Sequence, residues 1–431
     1  MFTHGLAVVL VLAPFGAMAA PVVTGGPLLR LPDAKSDESP QGVAFRAGVQ
    51  ALLLEKGKPS VARGHFERAL KIDGRYVPAV LGMAAVAQAE GRSSQVESWL
   101  QQAEKLEPGA PEVHLAWGRY HQGQGRLAQA EKSFLQARER APRTIPPLLE
   151  LGDLYLKSPH HRKQALEAFR AAVELAPANG HAQFGLGAAA AANGEREMAL
   201  AALDKASNLE PRDPEPPRLI GRLWLEAGRF DEALAAFDGA LKRQPAYLPA
   251  MLDRVDALAA QRRWPLALEQ LAQARRIAPK AAAVALKFAD VHQASGQFVA
   301  AKAEYLKAIE LGPRDPLAYN NLAWMTVESK GDARQAVAWA RQAVALAPGS
   351  APFHDTLGWA LRAAGDLPAA SASLAKAVEM EPNMAGYHFH LGVIKAELKQ
   401  PAAARAALEK ALALDPKLSQ SNEARALLKT L

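Results

Sequence analysis

The feature of this sequence that most constrains its fold is a pattern of small, bulky and proline residues that recurs about every 34 residues. One copy spans Pro214–Tyr247. Apolar residues in its first half are spaced by one, three and four, namely Leu219, Ile220, Leu223 and Trp224. This spacing predicts an amphipathic helix. The apolar residues of the second half predict another helix: Ala233, Phe237, Ala240 and Leu241.

Three residues mark the ends of the two predicted helices. Gly228 ends the first helix, and Asp231 stands where the N-cap of the next helix is expected. Pro245 ends the second helix, because proline lacks the backbone N–H that a helix interior needs. Neither helix has enough apolar surface to be stable alone, so the unit needs neighbouring copies.

The alanine at position 240 recurs in register along the chain. Its counterparts are Ala69, Ala103, Ala137, Ala172, Ala206, Ala274, Ala308, Ala343, Ala377 and Ala411. A proline follows each of these alanines by five residues, except in the first copy, where Gly74 takes that place. We therefore count eleven copies over Val43–Leu418, two of them with a one-residue insertion.

This period, with its small, bulky, small and proline positions, resembles the tetratricopeptide repeat. The resemblance implies an all-α, right-handed superhelical solenoid of about eleven antiparallel helix pairs. The segment Ser419–Leu431 has apolar residues at helical spacing and resembles the capping helix that covers the last repeat in this family.

Net charge and cysteine content constrain the function further. The formal net charge of +7 arises from 51 basic and 44 acidic residues spread along the chain, which indicates either a solvated surface or a preference for acidic partners. The chain contains no cysteine, which excludes disulfides, thiolate metal sites and lipid attachment through an N-terminal cysteine.

The N-terminus predicts export. An apolar run over Gly5–Phe15 precedes Ala17-Met18-Ala19, a small-x-small cleavage site of the kind found in secretory signal peptides. We expect a signal peptide over residues 1–19, a flexible leader over 20–42, and a periplasmic or otherwise exported mature chain with no transmembrane span. An uncleaved membrane anchor is the alternative, although the run is shorter than the ~20 residues of a membrane-spanning helix.

The resemblance also implies where a partner binds. In this family the second, fifth, ninth and twelfth residues of each repeat face a concave groove. In the early repeats these positions hold small or apolar residues: Ala47, Ala51, Leu81 and Ala85. In later repeats they hold the residues that we take as candidates for partner binding: Arg119, Arg218, Arg222, Asn320, Trp324, Asp355, Trp359, Arg362 and Phe389.

Two adjacent repeats place a hydrogen-bonding group four residues before an indole, in the pairs Asn320–Trp324 and Asp355–Trp359. Residues i and i+4 share a helix face, so each pair can hold a peptide segment or a sugar ring. The other interpretation is that both indoles are buried between helices and the polar residues are local caps.

Two arginines, Arg218 and Arg222, have the same spacing of four residues. They can hold a ligand carboxylate bidentately. Alternatively, they are solvated or pair with Asp253 or Asp256 of the next repeat.

The sequence favours no metal, cofactor or catalytic site. His160 and His161 lie in a lengthened loop with no third ligand nearby, which favours a solvated loop. His388 and His390 are two residues apart on one expected helix and so point in different directions. The phosphate-binding GxxxxGK[ST], the zinc-binding HExxH and the nucleophile motif GxSxG are all absent from the sequence, and the repeats fill most of it. We therefore expect a protein without enzymatic activity.

Three functional hypotheses follow. The first is an exported scaffold that binds a segment of an envelope protein in its groove, during assembly of exopolysaccharide, secretion or related machinery. The second is a periplasmic module that binds an anionic exopolysaccharide through its indoles and arginines. The third is a cytoplasmic scaffold whose N-terminus only resembles a signal peptide. Nucleic acid is then a conceivable ligand because related helical repeats bind RNA, but the charge is too diffuse to favour it, and we expect none.

Overall fold

The computed structural model describes residues 28, 37–53 and 58–431. Within these residues the chain forms 23 α-helices and no β-strand. The first five helix pairs are α1 Pro40–Leu53 with α2 Pro59–Ile72, α3 Val77–Ala89 with α4 Ser93–Leu106, α5 Pro111–Gly123 with α6 Leu127–Arg140, α7 Pro146–Leu156 with α8 Arg162–Leu175, and α9 Gly180–Ala192 with α10 Arg196–Leu209. A short 3-10 helix, Pro159–His161, precedes α8.

The next six pairs and a final helix complete the described chain. They are α11 Glu215–Glu226 with α12 Phe230–Arg243, α13 Leu248–Ala260 with α14 Trp264–Ile277, α15 Ala282–Ala294 with α16 Phe298–Leu311, α17 Pro316–Glu328 with α18 Ala333–Leu346, α19 Ala351–Ala363 with α20 Leu367–Met380, α21 Ala385–Glu397 with α22 Pro401–Leu414, and α23 Ser421–Thr430. The expectation of eleven helix pairs followed by one further helix is confirmed.

Two compact units make up the chain, and the division falls inside α11. We call the described residues up to Leu223 the N-terminal unit, and Trp224–Leu431 the C-terminal unit. Each unit is described by itself below.

The turn inside a helix pair depends on one residue with positive φ. Gly228 has φ 73°, a conformation that glycine adopts without a steric penalty, and α12 begins two residues later. The prediction that Asp231 caps α12 is wrong. The N-cap is Arg229 without a side-chain hydrogen bond, while Asp231 lies in the first turn and accepts a hydrogen bond from Gln261 Nε2 at 2.8 Å.

In the core, the bulky residues of the repeat pattern pack against its small residues. In the N-terminal unit Phe134 is fully buried beside Gly118, where an added Cβ would lie 2.3 Å from the ring. In the C-terminal unit Leu374 takes the same place beside Gly358. The alanines in register with Ala240 are at most 1% exposed. These small residues let paired helices approach closely, so the repeat pattern is a packing requirement.

The first helices of successive pairs also contact one another. In the N-terminal unit α1 contacts α3 and α7 contacts α9, and in the C-terminal unit α17 contacts α19 and α19 contacts α21. We call the surface that these helices present the first-helix face of each unit. It corresponds to the groove positions named from the sequence.

The described residues of the predicted leader contact the repeats. The first helix begins at Pro40, inside the predicted leader, and Tyr76 donates a hydrogen bond from its hydroxyl group to Asp37 at 2.8 Å. Leu28 is fully buried. The predicted signal peptide lies outside the described residues, and no described helix is both long enough and apolar enough to span a membrane.

Candidate functional site

The C-terminal unit brings three aromatic rings from three first helices together. Trp324 lies on α17, Trp359 on α19 and His390 on α21. The His390 ring is stacked on Trp359 with centroids 4.3 Å apart, and its centroid is 6.1 Å from that of Trp324. Both indoles are half-buried, so the structure lies between the two interpretations offered by the sequence.

A buried hydrogen bond fixes the imidazole of this group. His390 Nδ1 lies 2.7 Å from Asp355 Oδ1, and both residues are less than a tenth exposed. Asp355 therefore orients a ring of the next repeat and does not cap its own helix. His388 is half-buried, and its Nε2 lies 2.8 Å from the carbonyl oxygen of Pro382, so the two histidines point to different partners as predicted.

Sequence reasoning missed the role of His390 because it compared this residue only with His388 on the same helix. Asp355 and His390 are 35 residues apart, which is one residue more than the 34-residue repeat. That spacing was the available signal, since residues one repeat apart occupy similar positions on neighbouring first helices.

Asn320 lies one helical turn before Trp324 and is half-buried. Its Nδ2 donates to Asn321 Oδ1 at 3.3 Å, and Asn321 in turn donates to Asp290 Oδ1 at 3.3 Å. The Oδ1 atom of Asn320 is buried and has no hydrogen-bond partner within the described chain. Buried polar atoms normally have a partner, so this oxygen can accept a hydrogen bond from a ligand once neighbouring side chains move to expose it.

An ion pair borders the aromatic group. Arg362 donates to Glu397 Oε1 from Nε at 2.9 Å and from Nη2 at 2.6 Å. The guanidinium carbon of Arg362 also lies 4.6 Å from the centroid of the Trp359 ring, within cation–π range. Both charged side chains are about one-third exposed, so a partner can reach this pair from solvent.

Beside Asn321, the same face carries a cluster of charged residues. Asp290 accepts a hydrogen bond from the hydroxyl group of Tyr305 at 2.8 Å, and Lys287 forms an ion pair with Asp256. Burial raises the pKa of Asp290 above its ordinary value, although Lys287 opposes this shift. For Lys287 burial alone lowers the pKa, but Asp256 and Asp290 reverse that effect, and the net shift is upward.

Phe389 does not belong to this surface. It is 2% exposed and packs in the core with Val393, Leu408 and Ala411. The predicted groove position fails here because the large apolar ring packs against core residues of α21, α22 and α23.

The other three candidate arginines lie in the N-terminal unit. Arg218 donates to Glu215 Oε2 from Nη2 at 2.9 Å on its own helix, and Arg222 is half-buried one turn later. Arg119 is 3% exposed and donates from Nε to Glu150 Oε1 at 2.7 Å. Its Nη1 donates to the carbonyl oxygen of Leu28 at 2.8 Å, so this arginine holds part of the leader.

No group of three residues suited to hold a metal ion occurs among the described residues. His160 and His161 lie in the 3-10 helix before α8, and the His161 ring is stacked on Tyr155 with centroids 5.5 Å apart. This contact gives His161 a packing role.

Solved structures resemble this chain in fold. Yeast Tom70 has a TM-score of 0.52 and 15% sequence identity, over 90% of this chain and 95% of that one. A structure of the APC/C hetero-tetramer Cut9–Hcn1 has a TM-score of 0.49 and 16% identity, over 91% of this chain and 96% of that one. No curated protein sequence matches the chain.

Family models give the sequence-level result. One tetratricopeptide-repeat model matches residues 149–214, 286–351 and 356–419, and a second matches residues 225–287. Together they cover more than half of the chain. The eleven helix pairs and these matches show that the chain belongs to the tetratricopeptide-repeat family.

Proposed function

We propose that this chain is an exported protein-interaction scaffold that binds an extended segment of a partner protein on the first-helix face of its C-terminal unit. The family and the fold support an interaction scaffold in general. The observation that carries the specific site is the buried, unpartnered Oδ1 of Asn320 beside Trp324.

The chemistry of this surface suits a peptide. Asn320 Oδ1 can accept a backbone N–H, and the half-buried indole of Trp324 lies one helical turn away to cover an apolar side chain. The pair of Arg362 and Glu397 offers both signs of charge at the border. A peptide has polar backbone groups and side chains of mixed character, so it can use all of these features.

This surface is less suited to a carbohydrate ligand than to a peptide. A sugar ring needs the open face of an indole, but the Trp359 ring already contacts the imidazole of His390 and the guanidinium of Arg362. An anionic polymer needs available cations, and Arg362 is paired with Glu397. These contacts favour the peptide over the exopolysaccharide.

The proposed location rests on the N-terminal sequence. The apolar run before Ala17-Met18-Ala19 supports secretion with cleavage after Ala19. We place the scaffold in the bacterial envelope, in assembly of exopolysaccharide export or other secretion machinery. N-terminal sequencing of the chain from the producing cell tests this part: a chain that begins at Ala20 supports it, and one that retains Met1 in the cytoplasm contradicts it.

Crosslinking in the producing cell tests the site. Photo-reactive residues at positions 320 and 324 are expected to give a discrete protein adduct. The same residue at position 339, also a half-buried tryptophan but on α18, is the matched control and is expected to give none. A polysaccharide smear at 320 and 324 would favour the carbohydrate module, and equal adducts at all three positions would contradict a first-helix site.

A substitution pair adds a second test with the captured partner. Asn320→Ala is expected to weaken capture about tenfold or more, because it removes the available acceptor. Asn321→Ala removes the same group one residue later, but the carboxamide of Asn321 is already bonded to Asp290. We expect this control to retain capture, and equal losses in both variants would argue against the role of Asn320.

A further inference from the structure

Leu28 is held on the N-terminal unit in the manner of a bound peptide. Its side chain is 1% exposed. Its backbone N–H donates to Gln88 Oε1 at 3.1 Å, and its carbonyl oxygen accepts from Arg119 Nη1 at 2.8 Å. Both backbone groups of this single residue are thus bonded to side chains that lie 60 and 91 residues away in the sequence.

This arrangement differs from ordinary core packing. A core residue in a helix has its backbone groups bonded within the helix, so only its side chain needs a neighbour. Leu28 lies outside any helix, and the repeats supply one donor and one acceptor for its backbone. Hydrogen bonds to the main chain of a bound peptide give affinity whatever its side chains are, and here both backbone groups of one residue are bonded in this way.

Three successive first helices build the polar part of this site. Gln88 is at the end of α3, Arg119 is on α5 and Glu150 is on α7. Glu150 is 1% exposed and accepts a hydrogen bond from Arg119 Nε, which leaves Nη1 to donate to the Leu28 carbonyl oxygen. A buried ion pair is costly unless its hydrogen bonds are well satisfied, and the carbonyl oxygen of the leader supplies one of these bonds.

The apolar part of the site explains why a leucine side chain binds there. Leu28 belongs to a buried cluster that includes Ala51, Leu81 and Ala85. These are the groove positions that the sequence fills with small or apolar residues. Small side chains on a helix face leave room for a side chain from outside the repeats, and the cluster selects one that is apolar and of the size of leucine.

We infer that the first-helix face of the N-terminal unit is a second binding site, specific for a peptide segment with a leucine-like side chain, and that Leu28 of the chain's own leader occupies and masks it. A partner segment with this chemistry displaces the leader residue, donates a backbone N–H to Gln88 Oε1 and accepts a hydrogen bond from Arg119 Nη1. This inference does not depend on the proposed site around Asn320, which lies in the other unit.

A competition experiment on the full chain tests the inference. The probe is a fluorescent peptide with the sequence of residues 25–34, GGPLLRLPDA, and a second peptide with alanine in place of its first leucine is the specificity control. A tethered segment has an effective concentration on the order of millimolar. The wild-type chain should therefore bind the probe weakly, and Leu28→Ala should bind it about tenfold or more tightly.

Three further variants sharpen the result. Leu29→Ala removes the same side-chain volume one residue later and keeps Leu28, so it should bind the probe as weakly as the wild type. Adding Gln88→Ala to Leu28→Ala removes the acceptor for the peptide N–H and should reverse most of the gain. Leu28→Asn, which keeps a side chain of similar size but makes it polar, serves as a second unmasking variant and should rank with Leu28→Ala.

Specific outcomes overturn the inference. If the wild type, Leu28→Ala and Leu28→Asn bind the probe equally, or if none binds it, the leader does not mask a peptide site. If the alanine-substituted peptide binds the unmasked chain as tightly as the probe, the site does not select the leucine side chain.

Discussion

The first-helix faces of the two units differ although both are built from the same repeat. In the N-terminal unit the face carries the buried pair of Arg119 and Glu150, and Arg119 also donates a hydrogen bond to the carbonyl oxygen of Leu28. In the C-terminal unit the face carries half-buried indoles, the unpartnered Asn320 oxygen and the pair of Arg362 and Glu397, whose side chains are about one-third exposed. The comparison shows that the repeat fixes the core positions and leaves the face positions free to differ.

The prediction with the largest expected effect compares how much the two ion pairs contribute to the free energy of unfolding. Arg119→Ala removes the guanidinium that bonds to Glu150, whose carboxylate is 1% exposed, and we expect a loss of about 3–5 kcal/mol in the free energy of unfolding. Arg362→Ala breaks a pair that solvent screens, and we expect a loss below about 1 kcal/mol. Urea unfolding followed by hydrogen exchange in α5 and α19 measures both losses locally. Equal losses would show that the two faces are energetically alike.

The next prediction tests whether the cores of the two units also differ. Ala137 and Ala377 occupy equivalent repeat positions, one in each unit, and both are 0% exposed. Replacing either with leucine overpacks the contact within its helix pair, and we expect each variant to lose about 1–3 kcal/mol of stability. Thermal unfolding of the two variants checks this. If Ala377→Leu melts like the wild type, the repeat register assigned to the C-terminal unit is wrong.

The smallest effect concerns the charged cluster of the C-terminal face. Because burial raises the pKa of Asp290, its carboxyl group binds a proton more tightly in the folded chain than in the unfolded chain. Its contribution to stability is therefore greatest below the ordinary value of 3.8 and is lost as the pH rises through the raised pKa. Asp290→Asn should reduce this pH dependence, while keeping an oxygen that accepts the Tyr305 hydroxyl hydrogen bond.

Urea unfolding of wild type and Asp290→Asn between pH 4 and pH 7 measures this difference. Lys287 and Asp256 lie in the same cluster, so the variant Asp256→Asn is the control that changes the charge near Lys287 but keeps Asp290. Parallel stability curves for wild type and Asp290→Asn would show that Asp290 has no raised pKa.

Sequence reasoning located the helices more accurately than the side chains of the candidate site. Asn320, Trp324, Asp355, Trp359 and Arg362 do meet on one face of the C-terminal unit, together with His390, which it did not include. It placed Phe389 on the same face, but the ring is buried in the core. A groove position defined by its number within the repeat gives the direction of the Cα–Cβ bond, but not the depth of packing around the side chain.

The candidate arginines show the same limit. Arg119, Arg218 and Arg222 were expected at the groove, and sequence spacing alone left their partners undecided. Arg119 pairs with Glu150 of the next repeat, whereas Arg218 bonds to Glu215 on its own helix. A long guanidinium side chain can reach several carboxylates, so the choice among them depends on the packing of neighbouring helices.

By itself, the sequence determined the eleven helix pairs and the final helix, because a repeat needs only local periodicity and contacts with its nearest neighbours. The tertiary structure decided how Leu28 is bound and how Asp355 orients His390. These contacts join residues that are distant in sequence. The binding of Leu28 also joins a segment outside the repeats to the repeat surface, and no periodicity of the chain encodes such a contact.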